Sequence, residues 1–323
     1  MEIVQEQKEK HFKKMNLNSL GKQELVTFVS LVLLIIFFSV TSEYFLSLAN
    51  FLTIGLQTSI IGIIALGMTF VIITSGIDLS VGSIVAFSGI VIGFSLKFGL
   101  PIPIAIIIGL LAGTMMGLLN GFLIVKGKLP PFIATLGMMM SLRGLTLALT
   151  NGIAISGFDY NFSKFAGGKF LGIPNPLIYF LLLGVLVGVI LKFTKIGKHT
   201  YALGSNEEAA KLSGVNVDKI KYFAYGLTGF LCAFSGAILT SRLISAQPTE
   251  GMGYEMDVIA AVIIGGSSLA GGVGTILGTI IGAFIMSVLK NGLNMLDVSG
   301  FWQQVIIGIV VLSAVWLDKR KSK

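Results

Sequence analysis

The sequence predicts an all-α fold, a polytopic membrane helical bundle of about ten transmembrane helices. Some of these helices are expected to be broken or re-entrant, and both termini to be cytoplasmic. Three observations predict it. Of 323 residues, 54% are hydrophobic and only 12% charged, whereas a soluble domain of this length needs far more polar residues to cover its surface. The charges are segregated, with none in 25–42, 44–77, 79–96, 98–125, 170–191, 222–241, 258–289 or 298–317. About 20 apolar residues cross a hydrocarbon core of ~30 Å, so each run holds one span, or one and part of another. The alternating segments of ~10 residues that mark a transmembrane barrel do not occur.

The elements follow in order. A tail over 1–24 carries Lys8, Lys10, Lys13, Lys14 and Lys22, like the charged start of a signal peptide. The apolar run behind it is long for such a peptide and no A-x-A site follows, so it reads as an uncleaved first span. Spans are expected at 25–41, 52–74, 80–96, 99–125, 130–150, 173–191, 222–241, 257–269, 275–290 and 301–317. They form one transmembrane domain over 25–318, with an inner loop at 192–221 and a basic tail at 319–323. The eighth and ninth spans share an uncharged stretch broken by Gly265-Gly266 and by "GGVG" at 271–274. Such glycines predict a tight turn or a re-entrant segment, tolerated at membrane depth where protein or water satisfies the backbone.

Charge sets the orientation. With cytoplasmic termini, 17 Lys and Arg lie inside and five outside, with Arg143 within a span; the cytoplasmic side is the side richer in Lys and Arg. The net charge of +8 therefore points to topology and the lipid bilayer rather than to nucleic acid. Phe301 with Trp302 and Trp316 bracket the last span, where interfacial aromatics belong.

One segment does not fit the bilayer. "GSNEEAAKLSGV" (204–215) puts three charges into twelve residues of the longest inner loop. Ser205 is placed to cap a helix, with Glu208 three residues on to complete a capping box. Glu207 and Glu208 favour the positive end of the helix dipole, and Gly214 stands where a left-handed terminator belongs. A helix of about eight residues is ~12 Å long and unstable alone. Ala209, Leu212 and Val215 form a small apolar face, which either lies on the chain's own bundle or fits a groove in a partner.

"EAAKLSG" (208–214) resembles the coupling motif of permeases in ATP-binding-cassette (ABC) importers. The wider pattern is more specific: "VIITSGIDLSVGSIVAFSG" (71–89), "PPFIATLGMMMSLRG" (130–144), "YALGSNEEAAKLSGVNVDKIK" (201–221), "SAQPTEGMGYEMDVIAAVIIGGSSLAGG" (245–272) and "GTIIGAFIMSVLKNGLNMLDVS" (278–299). All are similar to the ribose-type sugar permeases, over residues 25 to the end. Permeases for autoinducer-2, xylose and galactosides share much of the pattern. The resemblance implies a loop that docks on a separate ATP-binding subunit, through Ser205, Glu207, Glu208, Ala209, Ala210, Leu212 and Gly214. It implies a second permease copy, as a homodimer, and an extracytoplasmic sugar-binding protein on outer loops 42–50, 151–172 and 242–257. No cofactor is expected on this chain itself; ATP and Mg belong to the partner ATPase.

What the chain lacks agrees with borrowed energy. A P-loop needs glycine five residues before its Gly-Lys pair; here those positions hold Phe122, Ser163 and Lys192. No span carries a His–carboxylate set, and His11 and His199 sit in polar basic stretches, so no metal site is expected. Cys232, the one cysteine, reads as a small packing residue. An ion-coupled secondary transporter is the alternative and needs a titratable site near the midplane. A membrane enzyme or receptor needs a catalytic set or soluble domain that the sequence does not show.

Polar residues inside or near spans are candidates for a translocation path or gate: Asp78, Asn120, Arg143, Asn151 and Asn294, with Asn291 and Gln303 beside them. Buried ions are costly and mark pathways, while Asn and Gln offer sugars both donors and acceptors. Each also has a plain structural reading. Asp78 or Ser80 can cap the third span. Arg143, ~20 Å along its helix from Pro130, can snorkel outward or bond a backbone carbonyl or acid. The amides can be helix-end or packing residues. Gly109/Gly113/Gly117, Gly184/Gly188 and Gly278/Gly282 predict close helix packing. A faint repeat, "VII" then "VGSI" (71–84) and "VII" then "VGTI" (262–276), fits transporters built from repeats around a central site.

Overall fold

The computed structural model describes Gly21 and residues 24–321; most of the expected tail 1–24, with its five lysines, and the last two residues lie outside the described residues. Helices α1 (Glu24–Thr41), α2 (Leu48–Ile73), α3 (Val81–Lys97), α4 (Ile102–Val125) and α5 (Pro131–Thr150) are followed by α6 (Ser163–Gly167), α7 (Asn175–Phe193), α8 (Lys195–Ser205) and α9 (Glu207–Leu212). Helices α10 (Val217–Leu243), α11 (Tyr254–Ile264), α12 (Ile276–Met295) and α13 (Gly300–Lys321) complete the order.

The α-helical membrane architecture is as expected, and among the described residues ten helices fall on the ten expected spans, but they are unequal in length. Among the described residues, seven helices are long and apolar enough to cross a membrane: α1, α2, α4, α5, α7, α10 and α12. The expected third span is α3, of 17 residues, and the apolar part of the expected tenth is Gly300–Ser313. The expected eighth span is the 11-residue α11, only ~16 Å long, about half of a ~30 Å core. Its shortness has a visible cause in the Gly265–Gly266 pair, where Gly266 takes φ +98°. The basic tail begins within α13, which runs on to Lys321.

The core is built from helices apolar on all sides. Of the most apolar stretch of each, 83% of α2, 78% of α10 and 72% of α12 is buried, against 17% for α1 and 22% for α4, a division into inner and lipid-facing helices. The Gly109/Gly113/Gly117 and Gly278/Gly282 patterns make close helix contacts, whereas Gly184 and Gly188 meet only the side chains of Ile280 and Ile276. A Cβ on Gly113 or Gly117 of α4 would overlap the α10 backbone at Gly229 or Tyr225, and Gly278 and Gly282 of α12 press on the carbonyls of Gly265 and Ala261. Small residues let backbones approach this closely.

Two helix breaks interrupt the core. The first runs from Thr74 to Ser80, between α2 and α3; the second from Gly265 to Thr275, between α11 and α12. The faint repeat falls on them: each "VII" closes a helix, "VGSI" opens α3 and "VGTI" leads into α12. The breaks bond to each other, Gly272 N donating to Ile73 O (2.9 Å) and Ser75 Oγ to Ala270 O (3.0 Å). Irregular backbone inside a bundle needs such partners. At the end opposite α9, four strands of two residues amend the all-helical expectation. β1 (Ile155–Ser156) pairs with β4 (Ser245–Ala246), tying loop 151–172 to loop 242–257, while β2 (Lys169–Phe170) pairs with β3 (Ile173–Pro174).

Candidate functional site

The expected water-soluble helix is present as α9, set on a second short helix that the sequence reading did not foresee. Thr194 caps α8, its hydroxyl accepting from Gly197 N (3.4 Å). Leu203 then packs with Val217 and Ile220 at the foot of α10. Ile196, Thr200 and Leu203 recur at helical spacing, the signal that could have found α8. Tyr201 donates from its hydroxyl to Gly274 O (2.6 Å). Burial first, and the carboxylate of Glu24 second, push its pKa up to about 12, so the donor stays protonated at physiological pH.

Ser205 does not cap α9. The chain is helical through Ser205, whose hydroxyl donates back to Tyr201 O (2.9 Å), and turns extended only at Asn206 (φ −164°, ψ 108°). Asn206 Oδ1 accepts from Ala209 N (2.9 Å), so the expected capping box with Glu208 is replaced by an asparagine cap, and the helix has six residues rather than eight. Its far end is a complete Schellman motif: Val215 N donates to Ala210 O (3.0 Å) and Gly214 N to Lys211 O (3.1 Å), with Gly214 at φ +82°, where glycine is unstrained. Ala210 is the one buried residue of α9. Glu208, Ala209 and Lys211 are exposed, and Leu212 is 90% exposed. Glu207 turns back and pairs with Lys221 of α10 through both carboxylate oxygens (2.8 and 2.9 Å), a contact the sequence reading missed. The result is a capped, braced knob with a small apolar tip.

The candidate path residues do not form one site. Asp78 and Asn120 come together in the first break, both fully buried. Asp78 Oδ1 accepts from Ser80 N (2.9 Å) and Ser80 Oγ (2.6 Å), and Asn120 Nδ2 donates to Ser80 Oγ (2.8 Å). Asp78 Oδ2, Asn120 Oδ1 and the Tyr225 hydroxyl are buried there without protein partners; Tyr225 was not foreseen, though a tyrosine in the apolar run of α10 is a visible signal. The cluster joins α3, α4 and α10. Asn120→Leu is expected to alter transport while the ATPase subunit still co-purifies, and to lower stability by about 1–3 kcal/mol, the cost of stranding buried polar groups; a detergent melting curve beside an uptake assay checks both.

Arg143 does not snorkel outward. It is half-buried, and its Nη1 donates to Pro248 O (2.7 Å) and Glu250 O (2.8 Å), gripping the loop between β4 and α11. That loop lies on α3, since a Cβ on Gly82 would overlap the carbonyl of Gly251. Asp257 of α11 pairs with Lys290 of α12. Asn151 ends α5 in the left-handed conformation (φ 50°), exposed at that tip. Asn294 accepts from Gln303 Nε2 (2.7 Å) where α12 meets α13, and the buried Asn291 donates to Asn50 Oδ1 (2.9 Å).

Comparison with known proteins adds a second line of observation. The family model described as branched-chain amino acid transport system / permease component matches residues 50–315. The chain is 51% identical to a ribose import permease protein of Bacillus subtilis (strain 168), covering 93% of this chain and 94% of that one. It is 47% identical to one of Haemophilus influenzae, covering 90% and 92%, and 35% identical to a xylose transport system permease protein of Escherichia coli (strain K12), covering 95% of each. No solved structure matches.

Proposed function

The chain belongs to the branched-chain amino acid transport system permease family, and from that premise we propose that it is the membrane-spanning subunit of an ABC importer for ribose. It is a multi-pass protein of the bacterial inner membrane. The observation that carries the sugar is the half-identity, over nearly the whole chain, to ribose import permeases; the weaker match to xylose permeases makes xylose the second reading.

In this proposal both termini are cytoplasmic, and α9 presents Glu208, Ala209, Lys211 and Leu212 to a groove in the ATP-binding subunit. The geometry supports it: α9 is capped at both ends, braced by Lys221 and leaves Leu212 90% exposed. Two copies line the path, and a sugar-binding protein meets the loops joined by β1 and β4. ATP and Mg act in the partner ATPase, whose binding and hydrolysis switch the path between its two accesses.

The test is co-purification with the ATPase and the binding protein, then ATP hydrolysis in proteoliposomes. Ribose-loaded binding protein is expected to stimulate hydrolysis and drive ribose uptake, and xylose-loaded protein to do neither. Ribose accumulation in vesicles that contain this chain but no ATPase would overturn the assignment in favour of an ion-coupled carrier.

A further inference from the structure

Three stretches of backbone meet at one point below the two helix breaks. Gly204, next to last in α8, lies against the carbonyl oxygen of Ile73, where α2 ends, and against the amide of Gly272 in the second break. A Cβ at 204 would fall on the Ile73 oxygen and 2.5 Å from Gly272 N. Gly272 N itself donates to that same Ile73 oxygen (2.9 Å). Seen from the other side, a Cβ at 271 would overlap Ser75 Oγ and lie 2.7 Å from Gly204 O, and one at 272 would lie 2.7 Å from Ser205 Oγ. Gly271 and Gly272 hold φ +89° and +72°, which L side chains adopt only with strain.

The position of this junction matters. Only Ser205 and Asn206 separate Gly204 from α9. A contact of main chain on main chain has no rotamer that could absorb a displacement, and close-packed interiors transmit strain. Of the other ties of α8 and α9, Leu203 reaches Val217 and Ile220 and Glu207 reaches Lys221, all on α10, while Tyr201 reaches the second break at Gly274. The breaks are short non-helical stretches at element ends, the kind of place that absorbs large backbone changes in domain motions.

We propose, on the basis of the α9 docking inferred above, that Gly204 is the positioning residue through which load on α9 reaches both helix breaks at once. Pressing α9 moves the end of α2 and the 265–275 segment together, because Gly204 touches both and they are bonded to each other. Tyr201, one turn earlier, holds the same segment through Gly274.

Gly204→Ala tests this in the reconstituted complex with ATPase, binding protein and ribose. Alanine is a better helix former than glycine, so a loss there comes from the contact and not from α8. The expected result is normal co-purification and unchanged basal hydrolysis, with ribose uptake per ATP reduced about tenfold or more, as an overpacked contact forces the backbones apart. Wild-type uptake per ATP would overturn the proposal. If Gly204→Ala fails to assemble, Tyr201→Phe decides. Uptake per ATP is then expected to fall about threefold, the worth of one neutral hydrogen bond; an unchanged ratio overturns the proposal. Leu212→Asp separates this from the docking itself: if that variant still co-purifies with the ATPase at the wild-type level, it is the docking of α9 that is wrong.

Discussion

Ala209→Asp is expected to abolish ribose uptake while leaving the chain inserted in the membrane. Ala209 is exposed on α9 beside Leu212, so a carboxylate there costs the free chain almost nothing. Docked in a groove, the same carboxylate is desolvated with no partner. Leaving one buried charge uncompensated costs about 3–5 kcal/mol, enough to weaken docking by roughly two to four orders of magnitude. Gly214→Asp acts on the same helix by another route. Space beside Gly214 is open, but φ +82° costs an L residue about 1–3 kcal/mol, so the Schellman turn that sets the α9 exit is strained. Labelled-ribose uptake, membrane fractionation and co-purification with the ATPase read these effects separately. Normal uptake in Ala209→Asp would remove α9 from the coupling.

Gly214 was readable as a left-handed terminator because only local chemistry decides it, and α9 stood out as a charged island between apolar runs. The cap was misread by one residue because Ser205 and Asn206 are both good caps, and what decides is where α8 stops. That depends on Leu203 reaching Val217 and Ile220, contacts made across the loop. The helix of the eighth span ends short of the expected 257–269 for a related reason. Composition sees an uncharged stretch from 258 to 289, but length in a helix is set by the glycines, and Gly266 ends α11 early. The junction at Gly204 carries no local signal, since its partners Ile73 and Gly272 lie far off in sequence and meet it by backbone atoms alone.

Arg143→Ala is expected to lower ribose uptake about tenfold or more while the ATPase still co-purifies. Position along α5 was legible in the sequence, but the partner was not, because Pro248 and Glu250 lie 105 and 107 residues away. The guanidinium bonds two main-chain carbonyls, and hydrogen bonds to a charged group contribute about 1.5–3 kcal/mol each. Without it the loop between β4 and α11 loses its hold on α5. The loop then rests on the Gly251–Gly82 backbone contact and on the β1–β4 pair. The loop belongs to the end where the sugar-binding protein is proposed to dock, so stimulation of hydrolysis by ribose-loaded binding protein falls together with uptake, and basal hydrolysis does not. Arg143→Lys separates charge from reach. Lysine keeps the cation but not the planar donor set, and an intermediate loss is expected. Wild-type uptake in Arg143→Ala would mean that the grip on the loop is packing alone, and released ATPase would mean that the two ends of the bundle are coupled by stability rather than by motion.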